Sequence, residues 1–332
     1  MSAPGCIKGL DAVPQSLRGC ALTIGNFDGV HLGHQRIIRA TRSQAEGQGV
    51  AAVAITFEPP PELVLRPDSL PKRITPADQK VRILLDAGCD FVVVAKADLE
   101  FLAAGPADFI ADVLVRCFAP SHVVEGADFL FGHKRAGNVD TLREAAPRAG
   151  FVMHVVEPVM IDLLAQDSAG PTAALPAGAS VRQRISSTLI RSLIEAGRVD
   201  QAAACIGREF ALFGKVVSGT GRGGKLLGFP TINLQTAGQV IPADGVYAGL
   251  ATVDGRRHAA AVSIGDNPTL GGTGRCVEAF LLDTRGDFLG KEVSLAFRQL
   301  VGLQKKFDSP EALKRQIAED VRHVRQIIEN RS

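Results

Sequence analysis

The densest chemistry in the chain lies in the segment Thr23-Ile-Gly-Asn-Phe-Asp-Gly-Val-His-Leu-Gly-His34. Gly25, Asn26 and Gly29 fit a tight turn after an apolar run, and a helix is expected to start near Leu32–Gly33. Glycines in such a turn let a polyanion approach backbone N–H groups, and a helix N-terminus adds positive potential. His31 and His34 are spaced to project to one side near that helix start. Two imidazoles beside a bound triphosphate can donate hydrogen bonds to phosphoryl oxygens as charge develops. Taken alone, the pair reads first as one exposed and one core histidine. Zinc is less favoured than either, because no cysteine or carboxylate at matching spacing completes a ligand set.

Two later segments have similar potential. In Ile185-Ser-Ser-Thr-Leu-Ile-Arg191, Ser186 or Ser187 can cap a helix whose free N–H groups face phosphate, and Arg191 follows one turn on. By itself this is an ordinary capped helix. In Phe229-Pro-Thr-Ile-Asn233, Thr231 and Asn233 fall on one side of an extended strand, where a hydroxyl and an amide oxygen suit Mg²⁺ beside triphosphate. The plainer alternative is a turn and a polar strand face. Gly219-Thr-Gly-Arg-Gly-Gly-Lys-Leu226 imitates a phosphate loop, but Leu226 stands where Ser or Thr must serve the metal. Gly228, Phe229 and Pro230 then forbid the helix that such a loop needs. A glycine-rich flap between strands is the remaining reading.

The elements that must position these residues fall into two groups. Continuous apolar runs at Ala21–Phe27, Ala51–Phe57, Phe91–Ala95, His122–Gly126 and Val152–Val159 suit parallel strands buried on both faces. Helical patterns lie between them at Gly33–Gln48, Pro76–Ala87, Ala107–Phe118 and Val139–Arg148. The alternation predicts a doubly wound α/β domain. Asp162–Gln183, rich in Ala, Gly, Ser and Pro, reads as a flexible loop. Helical pattern returns at Thr188–Ala196 and Val199–Ile206. Beyond Gly207, runs at Ala211–Ser218, Val246–Val253, His258–Ile264, Val277–Leu282 and Val293–Val301 predict a small antiparallel barrel or sandwich. A last helix from Ser309 to about Glu329 has Pro310 at its first position and the stripe Leu313, Ile317, Val321, Val324, Ile328. Two domains are expected, 1–206 and 207–332.

Bulk properties narrow the partners. The 332 residues carry a net charge of +2, which gives no electrostatic case for nucleic acid or a membrane surface. No apolar run approaches the ~20 residues that span a bilayer. The N-terminus has no signal-peptide core. Six cysteines without a CxxC pair suggest reduced thiols in a cytoplasmic protein. The chain has no Trp and one Tyr, so any aromatic clamp must use Phe.

Taken together, Gly25–His34, Thr56-Phe-Glu-Pro59, Glu125-Gly-Ala-Asp-Phe-Leu-Phe-Gly132 with Arg135 and Gly137, and Ile185–Arg191 resemble the adenylyltransferase module of bacterial bifunctional riboflavin kinase/FAD synthetases. The resemblance implies that FMN and ATP give FAD and pyrophosphate, with Mg²⁺ on the phosphates. It implies that His31, His34, Ser187, Thr188 and Arg191 handle ATP together with Gly25, Asn26, Phe27 and Gly29. It sets Asp128, Phe129 and Gly132 at the flavin side. Where the family reads Thr-Phe-x-Pro-His-Pro, this chain has Pro60, which removes a side-chain donor.

Gly228–Asn233, Pro242–Tyr247, Ile264–Thr269, Val277-Glu278 and Lys306–Ser309 follow the order of the riboflavin kinase module. That resemblance implies Glu278 as the base for the riboflavin 5′-hydroxyl and Thr231 and Asn233 as metal ligands. It sets Gly219, Gly224 and Lys225 in the nucleotide flap. This half departs more from the family: Lys225 replaces an arginine, Leu289 an aromatic residue, and Val301–Gln304 lacks two charges. The expected substrates are riboflavin, FMN and ATP. The competing readings are a monofunctional FMN adenylyltransferase with a flavin-binding barrel, and another small-molecule adenylyltransferase.

Overall fold

Burial on both faces is what the continuous apolar runs call for, and a parallel sheet satisfies it. The computed structural model describes residues 5–67, 72–164, 180–218, 229–236, 238–266, 275–304 and 308–330. The chain forms two compact units, Met1–Pro71 with Ala77–Ser186, and Lys72–Pro76 with Ser187–Ser332.

In the first unit the strands are β1 (Cys6–Lys8), β2 (Ala21–Ile24), β3 (Ala52–Phe57), β4 (Phe91–Ala95), β5 (His122–Gly126), the short β6 (Leu130–Phe131) and β7 (Gly137–Asn138), β8 (Val152–Val156), β9 (Met160–Leu164) and β10 (Ser180–Arg184). Its helices are α1 (Leu32–Gln48), α2 (Pro61–Leu65), α3 (Ala77–Asp86), α4 (Leu99–Ala103), α5 (Pro106–Phe109) and α6 (Val139–Ala149). α5 runs on through widened π turns over Ile110–Phe118. The six-stranded sheet has the order β1-β4-β3-β2-β5-β8, parallel throughout. Every residue of β2 and β3 is buried. The chain winds outward from β2 through β3 to β4, then returns to β5 on the other side of β2. The carboxyl ends of β2 and β5 therefore flank the switch point, where open α/β sheets bind ligands.

Two features differ from the sequence expectation. β1 adds an edge strand that three residues were too few to signal. The ends of the Asp162–Gln183 loop are not loop: β9 and β10 pair antiparallel from Met160↔Arg184 to Leu164↔Ser180. Pairing satisfies backbone groups that a free loop would leave to water. Residues 165–179, the Ala/Gly/Pro-rich centre, lie outside the described residues.

The second unit begins with α7 (Ser187–Glu195) and α8 (Val199–Ile206). Strands β11 (Phe210–Val217), β12 (Thr231–Thr236), β13 (Gly245–Val253), β14 (Arg256–Asp266), β15 (Arg275–Leu281) and β16 (Glu292–Gly302) follow. They close into an antiparallel barrel ordered β11-β12-β15-β14-β13-β16, so the barrel and not the sandwich is the architecture. Helix α9 (Pro310–Glu329) is capped by the Ser309 side chain, which accepts from Ala312 N at 3.1 Å. Its Val324 is buried with Ala248 and Leu282, and Val321 and Ile328 pack around them. The segment Lys72–Pro76 joins this unit through Gln239, whose buried amide donates to Ile74 O and Ala211 O at 3.1 Å each.

Gly214 shows how closely the barrel strands approach. A Cβ there would stand 2.2 Å from the carbonyl oxygen of Gln235. Gly214→Ala is therefore expected to destabilise the barrel by about 1–3 kcal/mol, read as a lower urea midpoint; an unchanged midpoint would show that the strands can part freely.

Candidate active sites

The first site forms where β2 turns into α1. Phe27 (φ 48°), Gly29 (φ 82°) and Val30 (φ 39°) all take left-handed backbone within four residues. Such conformations are disfavoured for side-chain-bearing residues and persist where packing over-determines them. Here Phe27 and Val30 are buried in a cluster with Ile38, Ala54, Val81 and Leu84. Gly25 N donates to Ile55 O at 3.0 Å, which ties the start of the turn to β3.

His31 caps α1: its Nδ1 accepts from His34 N at 3.3 Å. With Nδ1 accepting, the neutral ring carries its proton on Nε2. The His31 and His34 rings stack with centroids 3.6 Å apart and an 18° angle between planes. Phe27 meets His34 edge-on at 5.2 Å. Burial holds His34 well below the usual imidazole range, and the charges of His31 and Lys80 push it the same way. Its Nδ1 is buried without a hydrogen-bond partner among the described residues. His34 is thus a neutral imidazole at pH 7.

Several residues that the sequence reading missed support the turn. Lys80 Nζ donates to Asn26 O at 3.0 Å and to Phe57 O at 3.4 Å. Asn26 Nδ2 donates to the Glu62 carboxylate at 2.8 and 3.1 Å. Glu62 comes from α2, whose N-cap position is Pro60, so the substituted segment still carries a partner for the turn. On the other side, Glu125 Oε1 accepts from Ile24 N at 2.7 Å. β2 pairs with β5 only through Ala21 and Leu22. Beyond them the Glu125 side chain takes the N–H that β5 no longer serves, and the strands part at their carboxyl ends.

Glu125 is 2% exposed. Burial raises its carboxyl well above the ordinary carboxylate range, and the charge of Asp128 adds to this. As pH rises through the ordinary range, the unfolded state releases this proton while the folded state keeps it. Stability therefore falls with rising pH by up to about 1.4 kcal/mol per unit until the folded group ionises. Glu125→Gln keeps an acceptor for Ile24 and removes that slope. Denaturation of the variant against pH should show a flatter profile above the carboxylate range; an unchanged slope would assign it elsewhere.

Asp128 and Phe129 lie in the turn after β5. Asp128 forms an ion pair with Arg184 of β10. Phe129 stacks on Phe131 at 5.6 Å, and rings continue through Phe109 and Phe101 to Phe57. This row uses Phe, the aromatic residue that composition allowed. At Gly132 (φ 70°) a Cβ would stand 2.9 Å from Pro106 N, so no side chain fits. Ser187, Thr188 and Arg191 lie on α7, in the second compact unit. Arg191 Nε donates to Lys72 O at 3.0 Å.

The second site is on the barrel. Glu278 on β15 lies opposite Asn233 of β12 and Ser263 of β14. Thr231 Oγ1 donates to Glu278 Oε2 at 3.5 Å, the outer limit of a hydrogen bond. Val277, Ala279 and Leu281 fill the barrel, so Glu278, Thr231 and Asn233 share the opposite, outer face. Hydroxyl, amide and carboxylate oxygens fit a hard divalent cation and not a thiophilic one. Phe229 meets Phe280 edge-on at 5.2 Å beside this face. Gln304, from the segment that lacks the family charges, donates to Ser263 Oγ at 3.2 Å. Arg275 fixes the Pro242–Tyr247 turn through Asp244 and Pro242 O. Gly219, Gly224, Lys225 and Gly228 lie outside the described residues, as do Asn267–Thr269, Lys306 and Phe307.

Comparison with known proteins covers both units. A family model described as FAD synthetase matches residues 13–168, and one described as riboflavin kinase matches 206–328. The bifunctional riboflavin kinase/FMN adenylyltransferase of Pseudomonas fluorescens is 33% identical over 316 residues, covering 95% of each chain. The chain belongs to this family. The Escherichia coli K12 relative of the same description is 32% identical over 315 residues, covering 95% of this chain and 94% of its own. A solved structure described as a macrolide-efflux protein from Streptococcus pneumoniae shares the fold at TM-score 0.81 and 26% identity, over 96% of this chain and 98% of that one. No helix among the described residues is long and apolar enough to cross a membrane. Both enzymatic domain types are matched within one chain, which favours the bifunctional family reading over a lone adenylyltransferase.

Proposed function

We propose that the C-terminal barrel phosphorylates riboflavin to FMN and that the N-terminal domain joins FMN to the adenylyl group of ATP. The observation that supports the second step most directly is the His31–His34 pair, stacked 3.6 Å apart at the start of α1 beside the switch point. An FMN phosphate oxygen attacks the α-phosphorus of ATP, a new P–O bond forms, and pyrophosphate leaves. No enzyme nucleophile is needed; catalysis is positioning and charge stabilisation. His31, through Nε2–H, and His34 donate to phosphoryl oxygens. Gly25, Asn26, Phe27 and Gly29 shape the turn that receives the triphosphate. Ser187, Thr188 and Arg191 hold ATP phosphates, and Asp128, Phe129 and Gly132 serve the flavin side. On this assignment the catalytic domains run 1–206 and 207–332.

In the barrel, Glu278 takes the proton of the riboflavin 5′-hydroxyl as that oxygen attacks the γ-phosphorus and ADP leaves. A carboxylate in the right place suffices for this transfer. Thr231 and Asn233 would hold the Mg²⁺ that accompanies ATP, which would neutralise phosphate charge there. Gly219, Gly224 and Lys225 contribute the flap. The cytoplasm is the proposed location, with no nucleic-acid partner.

The test is chromatography of flavins after pure protein is incubated with riboflavin, ATP and Mg²⁺. FMN followed by FAD is the expected course. Conversion of FMN without turnover of riboflavin would leave only the adenylyltransferase, and binding without turnover would make the chain a flavin carrier.

A further inference from the structure

The inner face of α3 carries a charge where its neighbours are apolar. Val81 and Leu84 are buried there, and so is Lys80, at 6% exposed. Burying an ammonium group is costly unless it is fully hydrogen-bonded. Lys80 Nζ donates to two backbone carbonyls, Asn26 O at 3.0 Å and Phe57 O at 3.4 Å. Phe57 ends β3, and Asn26 lies just beyond the end of β2. One head group therefore ties two adjacent strand ends at the place where the turn departs. Thr56 Oγ1 donates to the same Asn26 oxygen at 3.2 Å, which leaves that carbonyl firmly held.

We infer that Lys80 is a positioning residue for adenylyl transfer, fixing the Gly25–His31 turn through the Asn26 and Phe57 carbonyls and setting its ammonium group against the turn that receives triphosphate. This rests on the reading of that turn as the ATP site. A surface lysine swings through many rotamers and is screened by salt, whereas Lys80 is held in one place in a low-dielectric setting. Its field reaches the proposed donors. Burial is the largest cause that favours the neutral imidazole of His34, and His31, from the same turn, and Lys80, from α3, act in the same direction. A lysine that only filled space would leave no such mark, because a methionine of similar length could replace it.

The experiment uses the full chain with Lys80→Gln, Lys80→Met and Lys80→Arg. FAD formation from FMN is measured against ATP concentration and pH, and FMN formation from riboflavin in the same samples reports on the integrity of the barrel. Lys80→Gln and Lys80→Met are expected to lower kcat for FAD formation about ten- to a hundredfold with a smaller change in KM for ATP. The acid limb of the profile should move to higher pH, because His34 loses a neighbour that disfavoured its protonation. Lys80→Arg, which keeps the charge, should leave that limb in place. If Lys80→Met fails to fold, the comparison of Gln with Arg decides the matter. An acid limb that stays put in Lys80→Gln, or FAD synthesis within about twofold of the native rate, overturns the inference. His34→Ala separates the two levels. If it is near native, the ATP-site reading itself fails. If it is inactive while Lys80→Gln is near native, only the role of Lys80 fails.

Discussion

Replacing His31 and His34 together by alanine should reduce FAD formation from FMN by on the order of a hundred- to a thousandfold, while riboflavin is still converted to FMN. The size of the effect follows from where the rings sit. They stack 3.6 Å apart at the start of α1, and the Nδ1 of His31 is engaged by His34 N. That bond fixes the ring and puts its proton on Nε2, so the direction of the Nε2–H is set before substrate binds, which is the condition for strong transition-state stabilisation. The double substitution removes both donors but leaves the turn clamped by Lys80 and Glu125. Loss of the His31 cap costs about 1 kcal/mol of helix stability, too little to unfold the unit. Single substitutions separate the two roles, since only His31→Ala also removes the cap. FAD synthesis by the double variant within about tenfold of native would sink the assignment of this turn.

Glu278→Gln should abolish the opposite activity, lowering FMN formation by on the order of a hundred- to ten-thousandfold, with FAD formation from supplied FMN retained. The change preserves volume and hydrogen-bonding reach but removes the base. Because Glu278 lies on the outer face, opposite Asn233 and Ser263, the barrel core of Val277, Ala279 and Leu281 is untouched. A thermal midpoint close to native is expected, so any lost activity reports chemistry and not folding. If Glu278→Gln still phosphorylates riboflavin at near-native rate, the carboxylate is only a polar residue on a strand face. Together the two variants form a crossed pair: each should block one product and spare the other. A single unfolding defect would depress both.

The sequence by itself determined what depends on near neighbours. Ala52–Phe57 and Phe91–Ala95 are strands because their apolar runs leave no polar face to put in water. Ser309-Pro310 starts α9 because a hydroxyl acceptor and a fixed φ are local properties. The spacing of His31 and His34, and the common side of Thr231 and Asn233, are likewise set by helix and strand periods. Tertiary structure decided everything whose partner lies far along the chain. Glu278 comes opposite Asn233 only through the antiparallel register of β12 and β15. Lys80 reads in the sequence as one more polar residue on an amphipathic helix. It becomes part of the site because α3 carries it beneath Asn26, 54 residues away. The bonds of Glu125 and Arg184 gave no signal for the same reason: their partners, Ile24 and Asp128, lie 101 and 56 residues away. The β9–β10 ribbon was hidden because composition averaged over 162–183 masks a pairing between its two ends. The protonation of His34 is also a tertiary property, since it follows from burial first and from the neighbouring charges second.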